Sequence, residues 1–117
     1  MTLKRLHLKK GLIAAGCLSL LLLTGTRTFA QKKGGDAAKG KEVFDQCAVC
    51  HDPDSAEKKV GPGLKGLYKR DKLKNGKKVT DAAVLAIIND GGNGMPAYAD
   101  MLSDAERADV IAYLKTL

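Results

Sequence analysis

The side chains best suited to chemistry are five consecutive residues, Cys47-Ala48-Val49-Cys50-His51. In a C-x-x-C-H sequence each thiol can add to one vinyl group of a haem, and the adjacent imidazole can bind the iron. The spacing therefore predicts one covalently attached haem c. Cys47 and Cys50 would form its bonds to the chain, and His51 would be one axial ligand of the iron.

A C-x-x-C pair also has two other common uses, dithiol or disulfide redox chemistry and zinc binding. Dithiol proteins of the thioredoxin type place the pair in a βαβ context, and no stretch here alternates with the period of a strand. A zinc site needs four ligands, whereas the remaining Cys and His, Cys17 and His7, lie near the N-terminus. The sequence therefore favours haem attachment.

The first 30 residues have the organisation of an export signal. Basic residues precede an apolar stretch at residues 11–23, and Ala30 ends a small-x-small cleavage site. The stretch is shorter than the roughly 20 apolar residues that span a bilayer. The alternatives are an uncleaved membrane anchor and a lipoprotein signal at Cys17, although the apolar stretch continues beyond that cysteine. We predict a signal peptide at 1–30, a mature domain at 31–117 and a periplasmic location.

Charge is unevenly distributed in the chain. The formal net charge is +7, and residues 1–30 hold five basic and no acidic residues, which leaves only +2 for the mature domain. Within that domain, residues 58–78 hold nine basic side chains and a single acidic one, Asp71. This segment is either a solvated loop or a docking surface for an acidic redox partner. No aromatic ladder accompanies the lysines, so nucleic acid is not an expected partner.

Two methionines of the mature domain are candidates for the sixth iron ligand, Met95 and Met101. Met95 lies in a glycine-rich loop before Pro96, where the backbone can approach a flat cofactor and direct one side chain at the iron. Met101 immediately precedes the last predicted helix, where a methionine that fills a gap is ordinary. The loop context favours Met95.

Three segments have the pattern of helices. The first runs from its cap at Asp36 to about Cys47, the second covers residues 80–89, and the third begins at a capping box, Ser103 to Glu106. Gly40 inside the first helix costs about 1 kcal/mol relative to Ala. A close crossing with the last helix would explain this glycine. The pattern predicts an all-α fold.

These motifs together resemble a small bacterial class I cytochrome c over residues 36–117. The residues that carry the resemblance are Cys47-Ala48-Val49-Cys50-His51, Gly61-Pro62-Gly63-Leu64-Lys65-Gly66-Leu67-Tyr68, Gly94-Met95-Pro96 and Ala112-Tyr113-Leu114. The resemblance implies the cytochrome c fold, with three main helices and loops wrapped around one covalently bound haem. It also implies that the terminal helices cross at Gly40, Phe44, Val110 and Tyr113.

The resemblance implies roles for two further residues at the haem. The carbonyl of Pro62 would accept a hydrogen bond from the proximal imidazole and fix its orientation, and Arg70 would contact a haem propionate. The chain departs from longer members of the family in having no Trp and a short stretch after Arg70. Tyr68 and Tyr98 are the remaining aromatic candidates for contacts with the propionates.

As a relative of this family, the chain is expected to be a periplasmic, non-enzymatic electron carrier that cycles haem iron between Fe(III) and Fe(II). Its partners would be redox proteins, in particular the acidic docking surfaces of a membrane or periplasmic oxidoreductase. We expect a monomer whose membrane contact is at most peripheral. The alternative function is a haem-based sensor of small ligands, or a weak peroxidase-like protein, in which Met95 is displaced. Against it, the mature sequence holds no second His and no obvious acid/base pair near a distal site.

Overall fold

The computed structural model describes residues 34–117, which form three α-helices joined by long loops. Helix α1 covers Ala37–Phe44, α2 covers Asp81–Asp90 and α3 covers Asp104–Leu114, and a short 3-10 helix lies at Leu67–Lys69. No strand longer than an isolated bridge occurs in this part of the chain. The predicted all-α class is therefore confirmed. The predicted signal peptide and its cleavage site lie outside the described residues.

Side-chain caps set the starts of the helices, each within one residue of its predicted position. The Asp36 carboxylate accepts from the Ala38 N–H at 2.9 Å, and the Thr80 hydroxyl accepts from Ala83 at 3.1 Å. At α3 the capping box is complete, because Ser103 and Glu106 each accept from the other's backbone N–H. These hydrogen bonds hold the pKa of Glu106 below its usual value. Local polar chemistry thus fixes each helix start.

The end of α1 differs from its prediction. The helix stops at Phe44 rather than near Cys47. The N–H groups of Cys47 and Ala48 both donate to the Phe44 carbonyl, at 2.8 and 2.9 Å, and the His51 N–H donates to the Cys47 carbonyl at 2.9 Å. The chain therefore leaves the helix through successive tight turns at residues 45–51, here called the attachment turn. These turns, and not a continuous helix, carry the C-x-x-C-H sequence.

The terminal helices α1 and α3 cross in close contact, as the sequence predicted. A Cβ atom at Gly40 would overlap the carbonyl oxygen of Asp109, so only glycine allows this approach. Beside the crossing, the rings of Phe44 and Tyr113 pack with centroids 5.2 Å apart. Asp109 also binds the start of α1, where its carboxylate accepts from the Asp36 N–H at 2.6 Å. The crossing is the central packing contact of the fold.

One apolar core connects the helices and supports the loops. Its buried members come from all three helices and from the segments between them: Phe44, Leu67, Val84, Ile88, Tyr98, Leu102, Val110, Ile111 and Leu114. Half-buried loop residues, including Cys47, Leu64 and Met95, pack against this core. The core thus supports the segments that hold the predicted site residues. None of the helices in residues 34–117 is long and apolar enough to cross a bilayer.

Candidate haem site

The imidazole of His51 is held by a backbone carbonyl. Its Nδ1 lies 2.8 Å from the carbonyl oxygen of Pro62, a distance at which an Nδ1–H donates a hydrogen bond. That tautomer leaves the lone pair on Nε2, and Nε2 has no hydrogen-bond partner among the described residues. A half-buried imidazole with one nitrogen fixed and the other free is the usual form of a metal-binding histidine.

Gly61 forms the surface on which the His51 ring lies. A Cβ atom at this position would be 2.5 Å from Cε1 and 2.8 Å from Nδ1 of the imidazole, which is too close for any side chain. The Gly61 N–H donates to the Cys50 carbonyl at 2.8 Å and holds the loop against the attachment turn. This role was not predicted from the sequence. A glycine directly before Pro62 was the available signal for a close approach.

The two cysteines lie half-buried at the attachment turn as free thiols. Burial, reinforced by the neighbouring Cys50, raises the pKa of the Cys47 thiol above its usual value. Dithiol redox proteins depend on the opposite shift, because a lowered pKa keeps the attacking sulfur as a thiolate. The environment of Cys47 therefore does not suit dithiol exchange. The attachment turn places one cysteine four residues before the imidazole of His51 and the other directly before it.

The loop at residues 91–101, here called the distal loop, holds Met95 in a tight backbone turn. Gly92 and Met95 exchange backbone hydrogen bonds of 2.9 and 3.1 Å. The turn requires positive φ angles of 112° at Gly92 and 89° at Gly94. Met95 is half-buried against the core, whereas Met101 is 62% exposed. Of the two predicted candidates, only Met95 is packed as a fixed ligand would be.

Arg70 closes the loop that carries Pro62. Its Nη2 donates to the carbonyl oxygens of Gly63 and Lys65, at 2.9 and 2.7 Å. These bonds give the guanidinium a structural function that was not predicted from the sequence. Both of these bonds use Nη2, so the hydrogens on Nε and Nη1 are available for the predicted contact with a haem propionate.

Tyr68 and Tyr98 have different surroundings. The hydroxyl oxygen of Tyr68 is buried without a hydrogen-bond partner in the described part of the chain. Lys115 lies 5.6 Å from its ring centroid and forms an ion pair of 2.6 Å with Asp81. Burial, followed by the charge of Asp81, raises the Tyr68 pKa. Tyr98 is buried in the core, and its pKa is raised by this burial and then by the two cysteines.

These residues fit the requirements of a bound haem. The turn supplies two thiols for the vinyl groups, and an imidazole and a thioether are the iron ligands of low-spin cytochromes. The space kept open by Gly61 fixes the imidazole plane. Within residues 34–117, no three side chains from His, Cys, Asp or Glu converge as a metal site of their own. The fold and site thus define a small helical protein of the haem c class.

Comparisons with known proteins assign the chain to a family. The family model for cytochrome c matches residues 37–117, and the chain belongs to the cytochrome c family. It is 35% identical over 106 residues to cytochrome c6 of Picosynechococcus, covering 87% of both chains. It is 29% identical over 137 residues to cytochrome c2 of Rhodospirillum rubrum, covering 94% of this chain and 99% of that one.

A solved structure gives the same assignment. Cytochrome c6 from the diatom Phaeodactylum tricornutum matches with a TM-score of 0.56 and 30% sequence identity, over 70% of this chain and 93% of the other. The predicted resemblance and the predicted fold are therefore confirmed. As a member of this family the chain is an electron-transfer cytochrome, and membership implies a covalently bound haem c.

Proposed function

We propose that the mature protein carries single electrons between redox proteins of the periplasm. Cys47 and Cys50 bond one haem c, and His51 and Met95 hold its iron. Bound haem supplies an iron that accepts and returns one electron. The main support is the His51 ring, with Nδ1 at 2.8 Å from the Pro62 carbonyl and Gly61 beneath it. This arrangement presents Nε2 in a single orientation.

The proximal side contributes a fixed imidazole. The bond to Pro62 selects the Nδ1–H tautomer, and the absence of a Cβ at Gly61 lets the ring pack against the backbone. A ring confined in this way stays in place when the charge on its metal changes. Electron transfer is fast when little structure has to rearrange, so the fixed ring favours a carrier.

The distal side contributes a thioether. Thioether ligation raises the reduction potential, and a ligand on each side of the iron leaves no position for oxygen or peroxide. The half-buried position of Met95 supports this role, and the exposure of Met101 argues against the alternative methionine. We therefore propose a carrier without enzymatic activity.

The basic segment at residues 58–78 is proposed to attract acidic partners. Its nine basic residues contrast with residues 79–106, which hold acidic residues and no Lys, Arg or His. A protein with such separated charges is steered toward an acidic oxidoreductase before contact, and salt weakens this effect. We propose that the carrier acts as a monomer, with membrane contact that is at most peripheral.

Export and processing form a separate part of the proposal. The signal peptide at 1–30 directs the chain to the periplasm, and the mature protein begins at or near Gln31. Denaturing mass spectrometry of purified protein should give the chain from Gln31 with one haem retained. A mass without haem, or a lipid on Cys17, would contradict this processing.

Visible spectroscopy tests the carrier function directly. The oxidised and reduced proteins should both show spectra of six-coordinate low-spin haem, and reduced protein should not bind carbon monoxide quickly at neutral pH. Rapid binding would show that the sixth position is labile. That result would favour a sensor of small ligands, in which Met95 is displaced.

A further inference from the structure

Arg107 is a charged residue of α3 whose side chain is buried. Only 12% of this side chain is exposed, whereas the side chain of Asp104, its ion-pair partner, is 98% exposed. An ion pair with a carboxylate that is almost fully solvated contributes little to stability. Moving a guanidinium out of water is costly unless its donors are used. The pairing with Asp104 therefore does not account for the burial of Arg107.

The buried guanidinium reaches the distal loop. Its Nη1 donates to the carbonyl oxygen of Ala99 at 2.7 Å, while Nη2 donates to the carboxylate of Asp104. Ala99 lies four residues after Met95 in the chain. A hydrogen bond from a charged donor is roughly twice as strong as one between neutral groups. Arg107 thus ties α3 to the part of the loop that follows the proposed iron ligand.

The same part of the loop is also tied to α2. The Tyr98 N–H donates to the Ile88 carbonyl at 2.9 Å, and the Ala99 N–H donates to the Asn89 carbonyl at 3.4 Å. The side chain of Tyr98 is itself a buried member of the core. Residues 98 and 99 are therefore held between two helices, with their N–H groups on α2 and the Ala99 carbonyl on α3. They form the fixed end of the distal loop.

A cavity between α2 and α3 lies beside the guanidinium. It has a volume of about 210 Å³, and both Arg107 and Asn89 line it. Apolar side chains from the two helices form part of its wall: Leu85, Ala108 and Ile111. Nε of Arg107 and Oδ1 of Asn89 are buried without a hydrogen-bond partner in residues 34–117. Close packing therefore does not confine the guanidinium on this side, and its hydrogen bonds fix its position.

We propose that Arg107 is a positioning residue for the sixth iron ligand. Its bond to the Ala99 carbonyl holds the distal loop closed and so keeps Met95 at the iron. The inference rests on the proposed ligation and carrier function, and adds the residue that controls how often this ligand is released. Carbon monoxide reaches the iron only when Met95 leaves it. The rate of that exchange is therefore controlled from α3, a helix that carries none of the proposed iron ligands.

The test uses mature holoprotein and three substitutions on α3. Arg107→Leu removes the donors and keeps an apolar side chain in the buried position. Asp104→Asn removes the ion pair and leaves the bond to Ala99 in place. Lys115→Leu is a second control, because it removes the 2.6 Å ion pair with Asp81 that also joins α3 to α2. Stopped-flow mixing measures carbon monoxide binding to reduced protein, and thermal unfolding is recorded for each variant.

Arg107→Leu should bind carbon monoxide about tenfold faster than wild type, because a hydrogen bond from a charged donor no longer closes the loop. Hydrogen exchange at the Tyr98 N–H should accelerate with it, since both report opening of the loop. Asp104→Asn should bind at the wild-type rate. Lys115→Leu should unfold at a lower temperature and keep that rate. If Arg107→Leu only unfolds at a lower temperature, with binding and exchange unchanged, Arg107 is merely structural and the proposal is overturned.

Two further outcomes complete the test. If Arg107→Leu yields no holoprotein, Arg107→Lys replaces it. Lysine keeps the charge but has one donor nitrogen for two partners, so binding should still be several-fold faster than in wild type, and an unchanged rate would overturn the proposal. If wild type binds carbon monoxide as quickly as Met95→Ala, the carrier function fails together with the inference. A slow wild type and an equally slow Arg107→Leu overturn the inference alone.

Discussion

The two sides of the candidate haem site are built differently. On the proximal side, residues 47–63 are tied together by backbone bonds and by the His51–Pro62 contact, and Gly61 leaves no free space beside the ring. In the distal loop one tight turn joins Gly92 to Met95, and Gly92 and Gly94 have open space where a Cβ would be. The Tyr98 N–H ties the rest of the loop to α2, where it donates to the Ile88 carbonyl at 2.9 Å. The proximal side is thus constrained by packing against the His51 ring, whereas the turn that carries Met95 depends on the backbone angles of Gly92 and Gly94.

This difference assigns different functions to the two sides. A close-packed imidazole can be oriented before any cofactor is bound, because its partners all belong to the protein. Under the proposed ligation, the distal loop would gain its final restraint from a bond between Met95 and the iron. Substitutions on the proximal side should therefore damage assembly, whereas those on the distal side should change ligand exchange and potential.

The largest effect is expected for Gly61→Ala. The added Cβ would lie 2.5 Å from the His51 ring, and the ring would have to move away from the Pro62 carbonyl. Overpacking of this kind costs about 3 kcal/mol. Thermal unfolding of the holoprotein and the yield of haem-bound chain should both show the loss, as a lower unfolding temperature and a sharply reduced haem content.

Gly76→Ala is the control for Gly61→Ala. Gly76 has a positive φ of 80°, and no atom lies within 4 Å of the position that a Cβ would take. This variant should therefore lose only about 1 kcal/mol. If the two alanine variants had equal stability and equal haem content, contact with the His51 ring would not be the reason for glycine at position 61.

The second effect in size is expected for Met95→Ala. Loss of the thioether should lower the reduction potential by about 0.1 V or more, since axial ligands set haem potentials over a wide range. Reduced protein should then bind carbon monoxide readily, which visible spectroscopy detects. Met101→Ala is the matched control and should leave the spectrum and potential unchanged, because its side chain is 62% exposed. If Met101→Ala were the variant that opens the iron, the assignment of Met95 would be wrong.

Helix starts with polar caps were predicted more accurately than the helix end that rested on the apolar pattern alone. The start of α3 was predicted from its capping box, and α2 was predicted to within one residue. The end of α1 was wrong because the apolar pattern continues to Cys47, while two N–H groups converge on the Phe44 carbonyl and end the helix. Periodicity cannot distinguish a continued helix from a tight turn with similar spacing.

The site residues divide into a local motif and contacts that depend on the fold. The C-x-x-C-H sequence is local, and its residue types alone predict haem attachment. The hydrogen bond from His51 to the Pro62 carbonyl was predicted only from the resemblance to a family. The close fit of Gly61 under the imidazole depends on a fold that brings residue 61 to residue 51. The bonds from Arg70 to the Gly63 and Lys65 carbonyls depend on the path of one loop. No residue pattern encodes either contact by itself.

A smaller effect is expected for Gly94→Ala in the distal loop. Gly94 has a φ of 89° with open space around it, so an alanine there is strained without a clash. The cost should be about 1–2 kcal/mol, and the holoprotein should still assemble. Carbon monoxide binding should be faster than in wild type, because the strained loop releases Met95 more often. Stopped-flow mixing measures this rate, and a rate equal to that of wild type would show that the distal loop is rigid.

The smallest effect is expected for Pro62→Ala. The atom that contacts Nδ1 of His51 is the backbone carbonyl oxygen at 2.8 Å, and alanine keeps that carbonyl. The variant should lose only about 0.4–1 kcal/mol, because the unfolded chain gains freedom when proline is removed. The reduction potential should stay close to wild type, as it should in the control Pro53→Ala. A fall in potential as large as that of Met95→Ala would mean that the proline ring is needed to hold the carbonyl in place. The proximal side would then depend on one residue for its geometry, and its contrast with the distal loop would be much weaker.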